Sequence, residues 1–171
     1  MTVDQLDTDL VTLITDEPGI SVLEASRRLG VARQTVQARL DRLHARGVIR
    51  GVRPLLDPAA LGYPVTAICQ AEIDQSVGYR TAVDGLSRIP EVLDLYTIAG
   101  ESDLLLRVVA RSNDDLQRVF DLIMGTGAVT RTRTSIVLRT HFHDEQLPLL
   151  HAAVAGSGDD RGRVAREPFS S

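Results

Sequence analysis

The sequence predicts an α+β protein in which a helix-turn-helix domain of the winged type precedes a ferredoxin-like βαββαβ domain. Three observations predict it. The first fifty residues place apolar side chains at helical spacing, interrupted by Pro18-Gly19, Gly30 and Gly47. After Asp57-Pro58-Ala59-Ala60-Leu61-Gly62 the period changes, and the order becomes strand, helix, strand, strand, helix, strand. Charge is also divided unevenly. Ile20 to Arg53 holds eight arginines against two acids, a net of +6, in a chain of 171 residues whose formal net charge is −4.

Asp4 to Glu17 reads as the first helix, with Leu6, Leu10, Leu13 and Ile14 on one stripe. Asp4, Asp7 and Asp9 crowd its start, where the helix dipole favours negative charge. Ser21-Val22-Leu23-Glu24 has the form of a capping box, so a second helix is expected from Ser21 to Leu29, closed by Gly30. The third runs from Ala32 to Gly47, with Val36, Leu40 and Leu43 inward. Two short helices joined by a glycine turn make a helix-turn-helix pattern. Val48 to Leu56 reads as a strand-like arm. The sequence divides into a helix-turn-helix domain at 1–50, a linker strand and hinge at 51–63, the βαββαβ domain at 64–150 and a disordered tail at 151–171.

In the second domain, strands are expected at Val65–Ile73, Val92–Ala99, Leu104–Ala110 and Val129–Phe142. Helices are expected at Val77–Ile89 and after Ser112. Both helices lie on one face of an antiparallel sheet. Ile68, Leu95, Leu106 and Ile136 are candidates for an apolar second face, which predicts a sheet-to-sheet dimer.

Composition narrows the chemistry. Hydrophobic residues make up 43% and charged residues 25%, the balance of an ordinary globular protein. The nineteen basic residues are all arginine, which excludes Schiff-base and P-loop lysines. The single cysteine, Cys69, can form neither an internal disulfide nor a cysteine zinc site, and its apolar setting predicts a buried thiol. No cofactor is expected. The acidic N-terminus lacks the basic region of a signal peptide, and no apolar run reaches membrane-spanning length, so a cytoplasmic protein with no membrane partner is expected.

Ordered matches across both halves give a family resemblance. They are VDQLDTDLVTLI, the Ser21 start, Leu29-Gly30, V-x-x-R-L-x-R-L from Val36 to Leu43, Gly47-Val48-Ile49 and Leu56-Asp57-Pro58 with Leu61-Gly62. Pro90-Glu91-Val92, the G-x-x-D turn at Gly100 and Asp103, and Arg131 to Leu138 continue the series. Over roughly Val3 to Leu149 the chain resembles the leucine-responsive and asparagine-responsive (Lrp/AsnC) regulators of transcription. The resemblance implies a regulator that binds double-stranded DNA, assembles as homodimers and often octamers, and senses an amino acid or related metabolite. It departs from the family at Ala32, where a capping Ser or Thr is usual. It also departs at Ala99-Gly100-Glu101-Ser102-Asp103, where the family often has T-G-x-Y-D.

The second helix of such a motif offers its N-terminal half to base edges in the major groove. Arg33, Gln34, Thr35, Gln37 and Ala38 lie there, and Gln34, Thr35 and Ala38 are the expected base contacts, since glutamine pairs with adenine and small methyls touch thymine. Arg27, Arg28, Arg33, Arg39, Arg42 and Arg46 are the expected phosphate contacts. Arg39 and Arg42 have a second reading, as ion pairs with Asp41 or with acids of the first helix. Arg50 and Arg53 either reach flanking phosphates or line a dimer. The resemblance places effector binding near the turn, at Ala99, Gly100, Glu101, Ser102 and Asp103, with Thr134 and Ser135 as further hydroxyl donors. The blander reading there is an ordinary glycine turn capped by Asp103.

Two other classes compete. His141 and His143 with Asp144 and Glu145 could form a metal cluster if they lay on one strand face. No nucleophile–base pair supports an enzyme. The alternative binding reading is a ferredoxin-like small-molecule module whose N-terminal helices serve dimerisation.

Overall fold

The computed structural model describes residues 3–159. The chain divides into two compact units. One comprises residues up to Pro54 together with those from Phe142 onward, and the other spans Leu55–His141.

The first unit contains α1 (Gln5–Asp16), α2 (Val22–Leu29), α3 (Arg33–Ala45) and a helix near the end of the chain. Asp4 caps α1 in a reciprocal box: its carboxylate accepts from the Asp7 amide, and the Asp7 carboxylate accepts from the Asp4 amide. At α2 only half of the expected box forms. Ser21 accepts from the Glu24 amide at 3.1 Å, but the Glu24 carboxylate lies beside Arg27 and Arg28 instead. Gly30, at φ 65°, closes α2 in the left-handed conformation that glycine adopts at least cost. Leu10, Ala25, Val36 and Leu43 form the buried centre, with Leu13, Ile14, Leu29 and Leu40 packed around it.

The second unit is a four-stranded antiparallel sheet of order β2-β3-β1-β4, built from β1 (Val65–Ile73), β2 (Val92–Thr97), β3 (Leu104–Ala110) and β4 (Val129–Ile136). Helices α4 (Tyr79–Leu86) and α5 (Asn113–Gly125) contribute Ala82, Leu86, Leu116, Val119 and Ile123 to its core. They meet Ala67, Cys69, Ala71, Leu104, Leu106, Val108 and Ala110, all buried on one sheet face. The expected βαββαβ order is therefore present. Cys69 is fully buried, and burial pushes its thiol pKa up.

Four expectations require correction. Val48–Leu56 forms no strand, because a strand needs a paired ladder and this arm has none among the described residues. The strand β4 stops at Ile136, well short of Phe142, because its partner β1 begins at Val65 and offers no ladder further on. The expected apolar second face was assigned with the wrong parity. Leu95 pairs with Leu106, Leu106 with Cys69 and Ile136 with Ala67, which puts these three on the helix side. A register shift between Val92 and Asp94 turns Leu95 inward. Ile68 alone of the four lies on the open face, in a mixed surface with Tyr96, Leu105 and the Asp94–Arg107 and Glu72–Arg131 ion pairs.

The last correction concerns the tail. Residues 147–159 form helix α6 (Leu147–Asp159), which belongs to the first unit and packs on α1. Its Leu-Pro-Leu-Leu-His-Ala-Ala start has good helix formers, with proline tolerated in the first turn. By its contacts the sheet unit spans Leu55–His141, and residues from Phe142 onward group with the first unit. The rest of the expected disordered tail, residues 160–171, lies outside the described residues.

Candidate functional site

The outward face of α3 carries Gln34, Gln37, Ala38 and Asp41, all exposed, with Arg33 exposed at the start of the helix and Thr35 half-buried. Their spacing of three and four residues makes one stripe. Behind it, Val36 and Leu43 are buried against α1 and α2, which fixes the direction the stripe faces. Ala32 stands at the N-cap in extended conformation, φ −64° and ψ 145°, with no side-chain cap bond. The N-terminal amides of α3 thus lack a side-chain acceptor from that position.

Arg39 and Arg42 do not belong to the outward set. Arg39 donates to Asp4 at 2.6 and 2.7 Å and to Asp7 at 2.8 Å. Arg42 donates to both oxygens of Asp7 at 2.7 and 2.8 Å. Asp7 is fully buried, so the two guanidinium groups supply the charge that permits its burial. The Arg39 bond also holds the Asp4 carboxyl below its usual range. Of the two readings these arginines allowed, ion pairing with acids of the first helix is the observed one. Arg28 likewise bonds Glu17, and the pairing raises its own pKa. Arg27 and Arg46 are exposed at helix ends, Arg27 at 3.6 Å from Glu24.

The Gly100–Asp103 turn lies in the second unit. Gly100, at φ 152°, stands in a conformation that L-residues rarely adopt. Asp103 anchors the turn. Its amide donates to Ala71 O at 3.1 Å, and its carboxylate accepts from the Ile73 amide at 2.9 Å and from the Tyr79 hydroxyl at 3.0 Å. The adjoining carboxylate holds the Tyr79 phenol above its ordinary pKa. Ser102 is buried, while Ala99 and Glu101 are exposed, and Glu101 accepts from Arg133 at 2.9 Å. Asp103 therefore has a structural task on both oxygens.

The hydroxyls proposed as co-ligands are not gathered there. Thr134 pairs with Cys69 and Ser135 with Ile68, so the two project to opposite sheet faces. The strand residues nearest the turn are Arg131 to Arg133, opposite Glu72 to Gln70. Sequence reasoning missed Tyr79 and Arg133. Tyr79 had no signal beyond an aromatic after Gly78, because its bond to Asp103 spans 24 residues. No group of three His, Cys, Asp or Glu among the described residues is placed to hold a metal ion. His141 and His143 lie beyond β4, on no strand, so the shared-face geometry is absent.

Residues 66–147 match the family profile of the Lrp/AsnC ligand binding domain, and residues 3–50 match that of the winged helix-turn-helix DNA-binding domain. The chain is 27% identical to the HTH-type transcriptional regulator FL11 of Pyrococcus horikoshii over 146 residues, covering 85% of this chain and 96% of that protein. It resembles the solved structure of the feast or famine regulatory protein from M. tuberculosis complexed with L-methionine. The TM-score is 0.74 and the identity 32%, with 84% of this chain and 97% of that one covered. E. coli AsnC superposes with TM-score 0.78 at 26% identity, covering 86% of this chain and 100% of that one.

Proposed function

The chain belongs to the Lrp/AsnC family of DNA-binding transcriptional regulators, which pair a helix-turn-helix with an amino-acid effector domain; on that premise we propose that it reads DNA with the outward stripe of α3 and answers to an amino acid at the Gly100–Asp103 turn. The observation that carries the reading is the division of labour on α3. The arginines that face α1 are occupied by Asp4 and Asp7, and Gln34, Gln37 and Ala38 are left on the exposed side. Gln34, Thr35, Gln37 and Ala38 contact base edges, and Arg27, Arg28, Arg33 and Arg46 contact phosphates. Arg39 and Arg42 act by holding α3 against α1. The reading of the N-terminal helices as a dimerisation arm alone does not account for the DNA-binding family match over residues 3–50.

One such module binds weakly, and two at fixed spacing read a pseudo-palindrome. The working form is a cytoplasmic homodimer, assembled further into an octamer. Val52, Leu55 and Leu56 on the unpaired arm are exposed at 68%, 90% and 70%, apolar surface that a second copy would cover. The effector is an amino acid, as the methionine complex of the M. tuberculosis relative suggests. Backbone groups around Gly100 with Arg133 and Glu101 offer donors and acceptors for its carboxylate and ammonium groups.

The test is a gel-shift with the chain's own upstream region, with and without each of the twenty amino acids, at several salt concentrations. The logarithm of affinity should fall linearly with the logarithm of salt, by about 0.9 per phosphate neutralised. At least one amino acid should alter the shift or the sedimentation of the assembly. Salt-independent binding would refute the electrostatic account, and a silent panel would refute sensing at this turn.

A further inference from the structure

Asp41 is the one acid that α3 carries, and it stands on the outward stripe. On a helix that meets a polyanion a carboxylate repels phosphates, so its placement calls for a physical reason. The arginines on either side, Arg39 and Arg42, are turned to Asp4 and Asp7. Asp41 instead accepts a hydrogen bond at 2.9 Å from Nε2 of Gln37, one helical turn earlier. A carboxylate at neutral pH only accepts, so chemistry fixes which end of the Gln37 amide faces it. The amino group turns to Asp41, which takes one of its two N–H donors, and Oε1, on the other side of the planar amide, turns away.

We infer that Asp41 is a positioning residue that presents Gln37 to DNA as a hydrogen-bond acceptor. In the major groove adenine and cytosine carry exocyclic amino donors, while guanine and thymine offer acceptors at the corresponding edge. Gln37 then selects adenine or cytosine at one position of the operator. An untethered glutamine can turn its amide and accept any of the four bases. The inference rests on the reading that α3 is the recognition helix, and it adds how one residue of that helix discriminates.

The test is selection from a randomised duplex pool by the full-length protein, followed by sequencing, for the wild type and for D41N, D41E, Q37A and Q37A/D41N. Asp41 is exposed, and the substitutions leave the core untouched. The position that Q37A relaxes should favour adenine or cytosine in the wild type. D41N is isosteric and lets the amide turn either way, so it should lose roughly tenfold discrimination there, the scale of one side-chain–base contact. D41E keeps an acceptor and should restore the preference. In the Q37A background D41N should change nothing further. An unchanged D41N profile overturns the inference, as does a wild-type preference for guanine or thymine at that position. A D41N effect that persists without Gln37 also overturns it, because Asp41 would then read the base itself. Selection of no sequence by the wild type would sink the recognition-helix reading and this inference together. Normal wild-type selection with an unaltered D41N profile would sink this inference alone.

Discussion

Replacing Asp7 with alanine should loosen the first unit more than any other single change on α1's first turn. The side chain is fully buried and takes three bonds from two guanidinium groups, at 2.7 to 2.8 Å, besides closing the capping box of α1. Hydrogen bonds to charged groups contribute about 1.5–3 kcal/mol each, and stranding a buried charge costs about 3–5 kcal/mol. Arg39 and Arg42 keep 21% and 32% of their side-chain surface in solvent, so water recovers part of the loss. The expected cost is about 3 kcal/mol, the lower end of the buried-charge range. At about 1.4 kcal/mol per tenfold, amide-exchange protection in α1 and α3 should fall roughly a hundredfold. Asp4→Ala, which removes a half-exposed partner and one cap, should cost about 1 kcal/mol. Native-state hydrogen exchange on the full chain measures both. Protection in Asp7→Ala within a factor of two of wild type, or an Asp4→Ala loss exceeding it, would refute the view that Asp7 holds α3 against α1.

Three further outcomes are expected. Ala32→Ser should supply the missing cap of α3 and stabilise the first unit by about 0.5–1 kcal/mol, read as slower exchange in the first turn of α3. The Asp4 carboxyl has a folded pKa below its unfolded value, so its contribution is complete above the unfolded value and is lost as pH falls through the folded one. Acid titration followed by circular dichroism should therefore show loss of α1 helicity below about pH 4, with a shallower slope in Asp4→Asn. Tyr79→Phe removes one of the two side-chain bonds that moor the Gly100–Asp103 turn, and amide exchange at Gly100 to Ser102 should accelerate by roughly three- to tenfold, as for one hydrogen bond of about 1 kcal/mol. Unchanged exchange there would mean that the Ile73 amide alone secures the turn.

The elements that sequence revealed best are those whose signals are local. Gly30, Ser21 and the Val36–Leu43 stripe placed α2 and α3 because caps and helical periodicity act within one turn. The βαββαβ order was legible for the same reason, since each strand is short and flanked by turn residues. Sheet parity was not. Leu95 changes face through a register shift that depends on its pairing with β3, and no local pattern encodes that partner. Strand ends failed likewise: β4 reads as β-rich out to Phe142, but its length is set by where β1 begins. α6 was misjudged because glycine and serine near its end masked a start rich in leucine and alanine. The exposed stripe of Gln34, Gln37 and Ala38 on α3 followed from helix phase. The roles of Arg39 and Arg42 stayed open until their partners 32 and 35 residues away were seen.

The return of the chain to its first unit has a mechanical consequence. The sheet unit is an insertion: the polypeptide leaves the N-terminal helices once through residues 48–56 and re-enters their unit through residues 137–146, ending in α6 against α1. The contact between Thr12 and His151 closes a loop of 139 residues that contains the whole sheet. Two covalent leashes, one at each end of the insertion, therefore tie the unit that holds the Gly100–Asp103 turn to the unit that holds α3. Trimming the chain after His141 leaves only one of them.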